Sequence, residues 1–218
     1  NNGGVALDWS DTSKVTTMYK MFRSIDVFNQ DISTWDTGEV TTMYEMFYSA
    51  DAFNNGGVAL DWSDTSKVTT MRGMFFDADA FNQDISAWNV SNVTNMDLML
   101  WGPTLSTANY DALLIAWDAL ELQDNVSFDV PSSKYTASSV ASTARASIIS
   151  TDSWTISDGG TVTDSSAPTL SSSSPADGAT SVAVDANIVL TFSEKIYVKT
   201  GNITLKKSSD DSTVETIA

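Results

Sequence analysis

Val15-Thr16-Thr17-Met18 returns as Val40-Thr41-Thr42-Met43, as Val68-Thr69-Thr70-Met71 and, with one change, as Val93-Thr94-Asn95-Met96. The starts lie 25, 28 and 25 residues apart (40 − 15, 68 − 40, 93 − 68). A period in this range predicts the coils of a solenoid, each too small to bury its apolar face alone and each covering its neighbour. Such a chain offers an elongated face for binding more readily than a closed pocket for chemistry.

Other landmarks keep step with that phrase. Met21-Phe22, Met46-Phe47 and Met74-Phe75 recur, with Met99-Leu100 as the altered fourth copy. Phe28, Phe53 and Phe81 form a further series, and Trp9, Trp35, Trp62 and Trp88 another. Residues 1–18 are identical to residues 54–71, so a two-coil unit of 53 residues (54 − 1) is duplicated. The chain is therefore expected to open inside such a unit of a longer parent.

Within a coil, Val40, Met43, Met46, Phe47 and Ala50 fit the spacing of a short amphipathic helix. Ser66 and Ser91, two residues before the repeated Val, are its N-cap candidates. Asp31-Ile32-Ser33-Thr34-Trp35 is too short for a helix and reads as one strand per coil, paired in parallel with the next. The longer coil carries Asn54-Asn55-Gly56-Gly57, which places its extra residues in a bulging Asn-Gly turn.

Seven Trp and eight Met invite a ligand-binding reading. Their fixed positions in the coil favour a stacked core instead, where Met fills irregular gaps. Asn29, Asn54 and Asn82 follow the coil Phe and predict an internal ladder bonded to backbone, against a hydrophilic ligand row as the rival. The positions that vary outward are Tyr19/Lys20, Tyr44/Glu45 and Arg72/Gly73. Tyr19, Lys20, Tyr44, Glu45 and Arg72 are the residues expected to face a ligand.

From Leu105 the pattern changes. Residues 109–122 predict an amphipathic helix capped by Thr107, residues 126–130 a strand, 138–150 a second helix and 153–157 a second strand. This run would cover the last coil, whose bare end exposes core and strand edges. Residues 161–167 read as a polar, proline-ended linker. Beyond it, residues 168–174, 182–192, 202–206 and 214–217 alternate like strands, with turns at 175–178 and 209–212. Short strands with spaced turns point to a β-sandwich, and 51 residues (218 − 168 + 1) make about half of one.

The 11 basic and 28 acidic side chains give a net charge of −17, which argues against nucleic acid or an anionic membrane as partner. No apolar run approaches membrane-spanning length. Without Cys there is no disulfide or thiolate chemistry, and without His the commonest base and transition-metal ligand is missing. Asp31, Asp61 and Asp84 come nearest to a glycosidase or lyase role. They recur from coil to coil, whereas an active site is needed once, so the chain is read as non-enzymatic. No cofactor is expected; calcium is the weak alternative, at Asp77/Asp79, Asp210/Asp211 or the turn region between Asp177 and Asp185. An ice-binding face is set aside, because the Thr of the repeated phrase is expected on the helical side.

The motif through Met46-Phe47-Tyr48-Ser49-Ala50, and from Phe81-Asn82-Gln83-Asp84-Ile85-Ser86 to Trp88 and Val93-Thr94, resembles the BspA-type leucine-rich-like repeats of bacterial surface proteins and lipoproteins. That resemblance covers about the first half of the chain and implies a right-handed solenoid used in adhesion or in host and matrix contact. The helix–strand run after it resembles the closing segment of such repeats. Ala167-Pro168-Thr169-Leu170, Ser174-Pro175-Ala176-Asp177-Gly178 and Val189-Leu190-Thr191-Phe192-Ser193-Glu194 are similar to the SbsA-type bacterial Ig-like module, a stalk repeat of surface proteins.

The expected fold is thus an α/β repeat: a leucine-rich-repeat-like solenoid with a helix–strand cap over residues 1–160, a linker, and a partial all-β Ig-like sandwich over 168–218. The expected function is a bacterial cell-surface or secreted adhesion module that presents its coils to protein or glycan. The alternatives are a spacer or surface-layer element without a ligand and, behind it, a polysaccharide-active enzyme. Flanking repeats and Ig-like domains of the parent chain are its other expected partners.

Overall fold

The computed structural model describes residues 9, 11–62, 64–163, 169–176, 179, 180, 183, 187–192, 203–206 and 212–217. The chain divides into two compact units, Asn1–Asp164 and Ser165–Ala218.

In the first unit the repeats stack in register. Parallel bridges join Thr17 to Thr42, Thr42 to Thr70 and Thr70 to Asn95. From each bridge onward, every second residue donates its N–H to the next coil. Met18, Lys20, Phe22 and Ser24 reach the carbonyls of Thr42, Tyr44, Met46 and Tyr48. Met43, Glu45, Phe47 and Ser49 do the same to the third coil, and Met71, Gly73, Phe75 and Asp77 to the fourth. The residues between turn back on their own coil, Met46 to Met43 O at 3.2 Å and Ala50 to Phe47 O at 3.0 Å.

This backbone overturns the expected helix in each coil. Lys20, Glu45, Gly73 and Leu98 share one coil position and have φ of 55, 50, 59 and 58°. Ser24, Ser49, Asp77 and Gly102, four residues on, have φ of 57, 52, 53 and 111°. A left-handed residue cannot continue an α-helix and costs an L-residue about 1–2 kcal/mol. Here it swings alternate N–H groups toward the neighbouring coil, and the lateral bonds offset that strain. Two successive four-residue turns bury the same positions as a helix would, which is why Val40, Met43, Met46, Phe47 and Ala50 are all buried and mimic its period.

Three local expectations change with it. Ser66 and Ser91 cap no helix; their N–H groups donate to Asp64 Oδ1 (2.8 Å) and Asn89 Oδ1 (3.0 Å). Such Asx turns compete with regular structure. For the same reason Asp31–Trp35 is not a strand: Asp31 Oδ1 takes the Ser33 N–H, and Trp35 N–H returns to Ile32 O. The parallel pairing lies instead at the Thr of the repeated phrase. Finally, Thr16, Thr41, Thr69 and Thr94 are exposed, on no helical side, and each later hydroxyl donates to the preceding Thr carbonyl (3.1, 3.1 and 3.2 Å).

The interior is columnar. Phe22, Phe47 and Phe75 stack at 5.5 Å steps, and Phe28, Phe53 and Phe81 at 5.7 and 6.2 Å, all within 13° of parallel. Trp35, Trp62 and Trp88 are buried, and the Trp62 and Trp88 indoles donate to Ile32 O and Leu60 O of the preceding coil. Trp9 stacks on Trp35 at 4.8 Å and is the exception to burial, 45% exposed. The extra residues of the longer coil form a 3-10 turn at Asn55–Gly57. Asn55 does not bulge with it; its side chain is buried, accepts the Ile32 N–H at 2.8 Å and donates to Val58 O.

The ladder then passes into regular strands. β1 (Ser127–Val130) joins the fourth coil through a parallel Met96–Phe128 bridge and through Leu100 N–H to Asp129 O. β2 is Tyr135–Thr136, β3 Thr155–Asp158 and β4 Thr161–Val162; β1 pairs with β3 and β2 with β4, both in parallel. Helix α1 (Thr107–Asp118) is capped by Ser106 Oγ rather than Thr107, and α2 (Val140–Thr151) by Ser139 Oγ. Tyr110, Leu113, Leu114, Trp117, Ala144 and Ile148 close the core over the last coil. Because β4 belongs to this unit, the unit continues past residue 160, where the linker was expected to begin.

The second unit holds two antiparallel pairs: β5 (Leu170–Ser174) with β6 (Val189–Phe192), and β7 (Ile203–Lys206) with β8 (Thr213–Ile217). In this unit Leu170, Ile188, Val189 and Leu190 are exposed.

Candidate functional site

The turns of the first unit align three columns along one face. Tyr19, Tyr44 and Arg72 form the first, Lys20, Glu45 and Gly73 the second. The structure brings all five residues expected to face a ligand into one cluster. Tyr19 and Tyr44 stack at 5.1 Å and 13°. Arg72 Nη1 donates to the Tyr44 hydroxyl at 2.8 Å, with its guanidinium over the Tyr44 ring at 5.5 Å. Lys20 Nζ lies 4.9 Å from the Tyr19 ring and 5.4 Å from the Tyr44 ring.

Glu45 is a correction. It does not face outward but is buried, 7% exposed, beneath three cations. Its Oε2 is 3.5 Å from Lys20 Nζ and 3.1 Å from Arg23 Nε, and its Oε1 is 3.6 Å from Arg72 Nη1. The Oε2 atom is within ion-pair distance of two cations yet aligned for a hydrogen bond with neither. A desolvated carboxylate needs such compensation. Gly73 makes room for it: a Cβ there would come 3.2 Å from Glu45 Cγ and 3.6 Å from Tyr48 Cδ2. The Lys20 ammonium is held above its ordinary pKa by hydrogen bonding to Tyr19, with a smaller contribution from the Glu45 carboxylate.

A third column went unread in the sequence. Arg23, Tyr48 and Phe76 lie three residues beyond the second column, and Trp101 follows at the fourth coil. Tyr48 and Phe76 stack at 4.5 Å and 8°, and the Arg23 guanidinium sits 4.7 Å over the Tyr48 ring. Their signal was present: after the repeated Met-Phe, one coil position runs Arg23, Tyr48, Phe76 and Trp101, a cation and then three aromatics.

Of the carboxylates considered for catalysis, Asp31 and Asp84 each accept the N–H two residues on, and bonding to Ser33 holds Asp31 below the usual carboxylate range; Asp61 is exposed. Asp77 is pushed up by burial and then by the charges of Asp79 and Asp51. Among the described residues no group of three acidic side chains is placed to hold a metal ion. Asp177, Asp185, Asp210 and Asp211 lie outside the described residues. Also among the described residues, no helix is long and apolar enough to cross a membrane.

Residues 4–117 match the family described as Mycoplasma protein of unknown function, DUF285, and residues 164–218 match a bacterial Ig-like domain. No curated protein and no solved structure matches the chain. The pairing of these two families is that of a surface-associated protein. With 114 of 218 residues (117 − 4 + 1) inside the match, the chain belongs to the DUF285 family.

Proposed function

We propose that the chain is a non-enzymatic binding module of a bacterial surface or secreted protein, a BspA-type, leucine-rich-repeat-like solenoid with an Ig-like module behind it. One observation carries this reading: two surface columns change residue type between coils where the core columns beside them do not. Met43 and Met71, or Phe47 and Phe75, are the same residue in the core; Tyr44 and Arg72, or Arg23 and Tyr48, differ on the face. Packing explains constancy inside, and recognition explains change outside. Ligand would be protein or glycan, held at modest affinity and multiplied by many copies on a cell.

The identity of residues 1–18 with 54–71 favours a second reading, a spacer without a ligand, because copies kept alike serve length rather than recognition. Probing protein and glycan arrays with the intact chain separates the two. A ligand whose binding is lost on changing outward-column residues supports the module; silence on every probe, for the full parent as well, favours the spacer.

A further inference from the structure

A basic cluster stands on this face of an acidic chain. Residues 11–104 hold five basic side chains in a chain of net charge −17. Three of the five, Lys20, Arg23 and Arg72, converge on the one carboxylate of Glu45. Asp97 follows Arg72 in the first column, so three cations meet two carboxylates and the cluster keeps a positive balance. The side chains of Lys20, Arg23 and Arg72 are 33, 41 and 37% exposed. A guanidinium has about five N–H donors, most of which Glu45 leaves free. The Arg23 plane is steadied on Tyr48 and the Arg72 plane on Tyr44, which reduces the entropy lost when a ligand fixes them.

We propose that this face binds an anionic polysaccharide. Its carboxylate or sulfate groups are taken by Lys20, Arg23 and Arg72, and its sugar rings pack on the stacked Tyr19 and Tyr44. Nucleic acid carries a charge at every phosphate, and the rest of the acidic chain repels so dense a polyanion. A polymer of sugars bearing sparse charges matches single cations set among ring faces. An acidic peptide meets the cations but offers no flat apolar ring face for the tyrosines. The inference rests on the binding-module reading and names its ligand class.

The test uses the intact chain with chondroitin sulfate, polygalacturonate, neutral dextran and poly-glutamate as probes, read by affinity electrophoresis and calorimetry. Chondroitin sulfate or polygalacturonate binds, and dextran and poly-glutamate bind at least about tenfold more weakly. Lys20→Gln and Arg23→Gln each weaken binding by about tenfold, the loss of one charge-assisted contact, with melting unchanged. Tyr19→Ala, which breaks no ion pair, also weakens it and stands in should either cation variant melt early. Equal binding of poly-glutamate, binding indifferent to all three variants, or no anionic polysaccharide bound overturns the proposal. An array ligand indifferent to these variants would keep the module and remove only this face.

Discussion

Asn54 Oδ1 accepts the backbone N–H of Asn82, 3.1 Å away and one coil further on. Asn29 does the same for Asn54 at 2.8 Å, and Asn82 for Ser106 at 2.7 Å. Each side chain satisfies a main-chain donor that the turn would otherwise leave unpaired. Asn54→Ala is expected to cost about 1–3 kcal/mol, and Asn54→Asp, which keeps the acceptor, less. Urea unfolding checks it; a loss for Asn54→Ala within about 0.5 kcal/mol would reduce the ladder to surface bonding.

The repeated left-handed position gives a gain rather than a loss. Ser24 holds φ of 57° with an exposed side chain. Glycine removes the Cβ strain of about 1–2 kcal/mol and returns part of it as unfolded-state entropy, about 0.5–1 kcal/mol. Ser24→Gly should therefore raise the melting temperature slightly, whereas Glu45→Gly, at the other left-handed position of the coil, should lower it by removing the counter-ion of three cations. If both fall together, strain is not what Ser24 contributes.

Asp77 combines strain with repulsion. Its φ is 53°, and burial with the nearby Asp79 and Asp51 raises its pKa in the folded state. A raised carboxyl holds its proton more tightly when folded, so it destabilises above its folded pKa and is relieved as pH falls below its unfolded value near 3.8. Asp77→Asn tolerates the same backbone and carries no charge. It should melt higher than the parent at pH 7, by a margin that shrinks toward pH 3. A margin independent of pH would assign the gain to backbone alone.

Residue order showed which side chains go inside but not how the backbone places them there. Phe47, Phe75, Trp62 and Met43 are buried as their recurrence predicts; the second cap helix falls within two residues of expectation, the usual uncertainty of helix ends, while the first ends four residues early at Asp118. The helix in each coil failed because Met43, Met46, Phe47 and Ala50 satisfy both a helical stripe and paired turns. Gly73 was the clue: glycine where other coils hold Lys20, Glu45 and Leu98 marks a left-handed backbone. The site was half legible. Tyr19, Lys20, Tyr44 and Arg72, singled out by their variation between coils, lie in one cluster. Glu45 is buried because Lys20 and Arg23 of the preceding coil and Arg72 of the following one converge over it, a proximity that linear spacing does not show.

The Phe columns allow an internal control on core packing. In the fourth coil Leu100 and Leu105 stand where earlier coils have Phe, and both are buried. Phe75 packs between Phe47 at 5.5 Å and the fourth coil, with Phe81 at 3.7 Å. Phe75→Leu should cost less than Phe75→Ala, for which about 3–5 kcal/mol is expected from a cavity between rigid neighbours. Equal losses in urea unfolding would mean that the stacked rings, rather than filled volume, stabilise the column.

Trp117 and Trp62 separate hydrogen bonding from volume. Both indoles are buried, but Trp62 Nε1 donates to Ile32 O at 3.1 Å while Trp117 Nε1 has no partner. Replacing either by Phe removes similar volume. In Trp62→Phe it also removes one of the two donors to the Ile32 carbonyl, which keeps only the Trp35 N–H, whereas in Trp117→Phe it removes an unpaired buried donor whose desolvation costs about 1–3 kcal/mol. Trp117→Phe should therefore be the milder change, by about 1 kcal/mol or more in urea unfolding. The reverse order would show that the ring contacts of Trp117 with Phe128 at 5.4 Å and Trp154 at 6.5 Å outweigh its unpaired N–H.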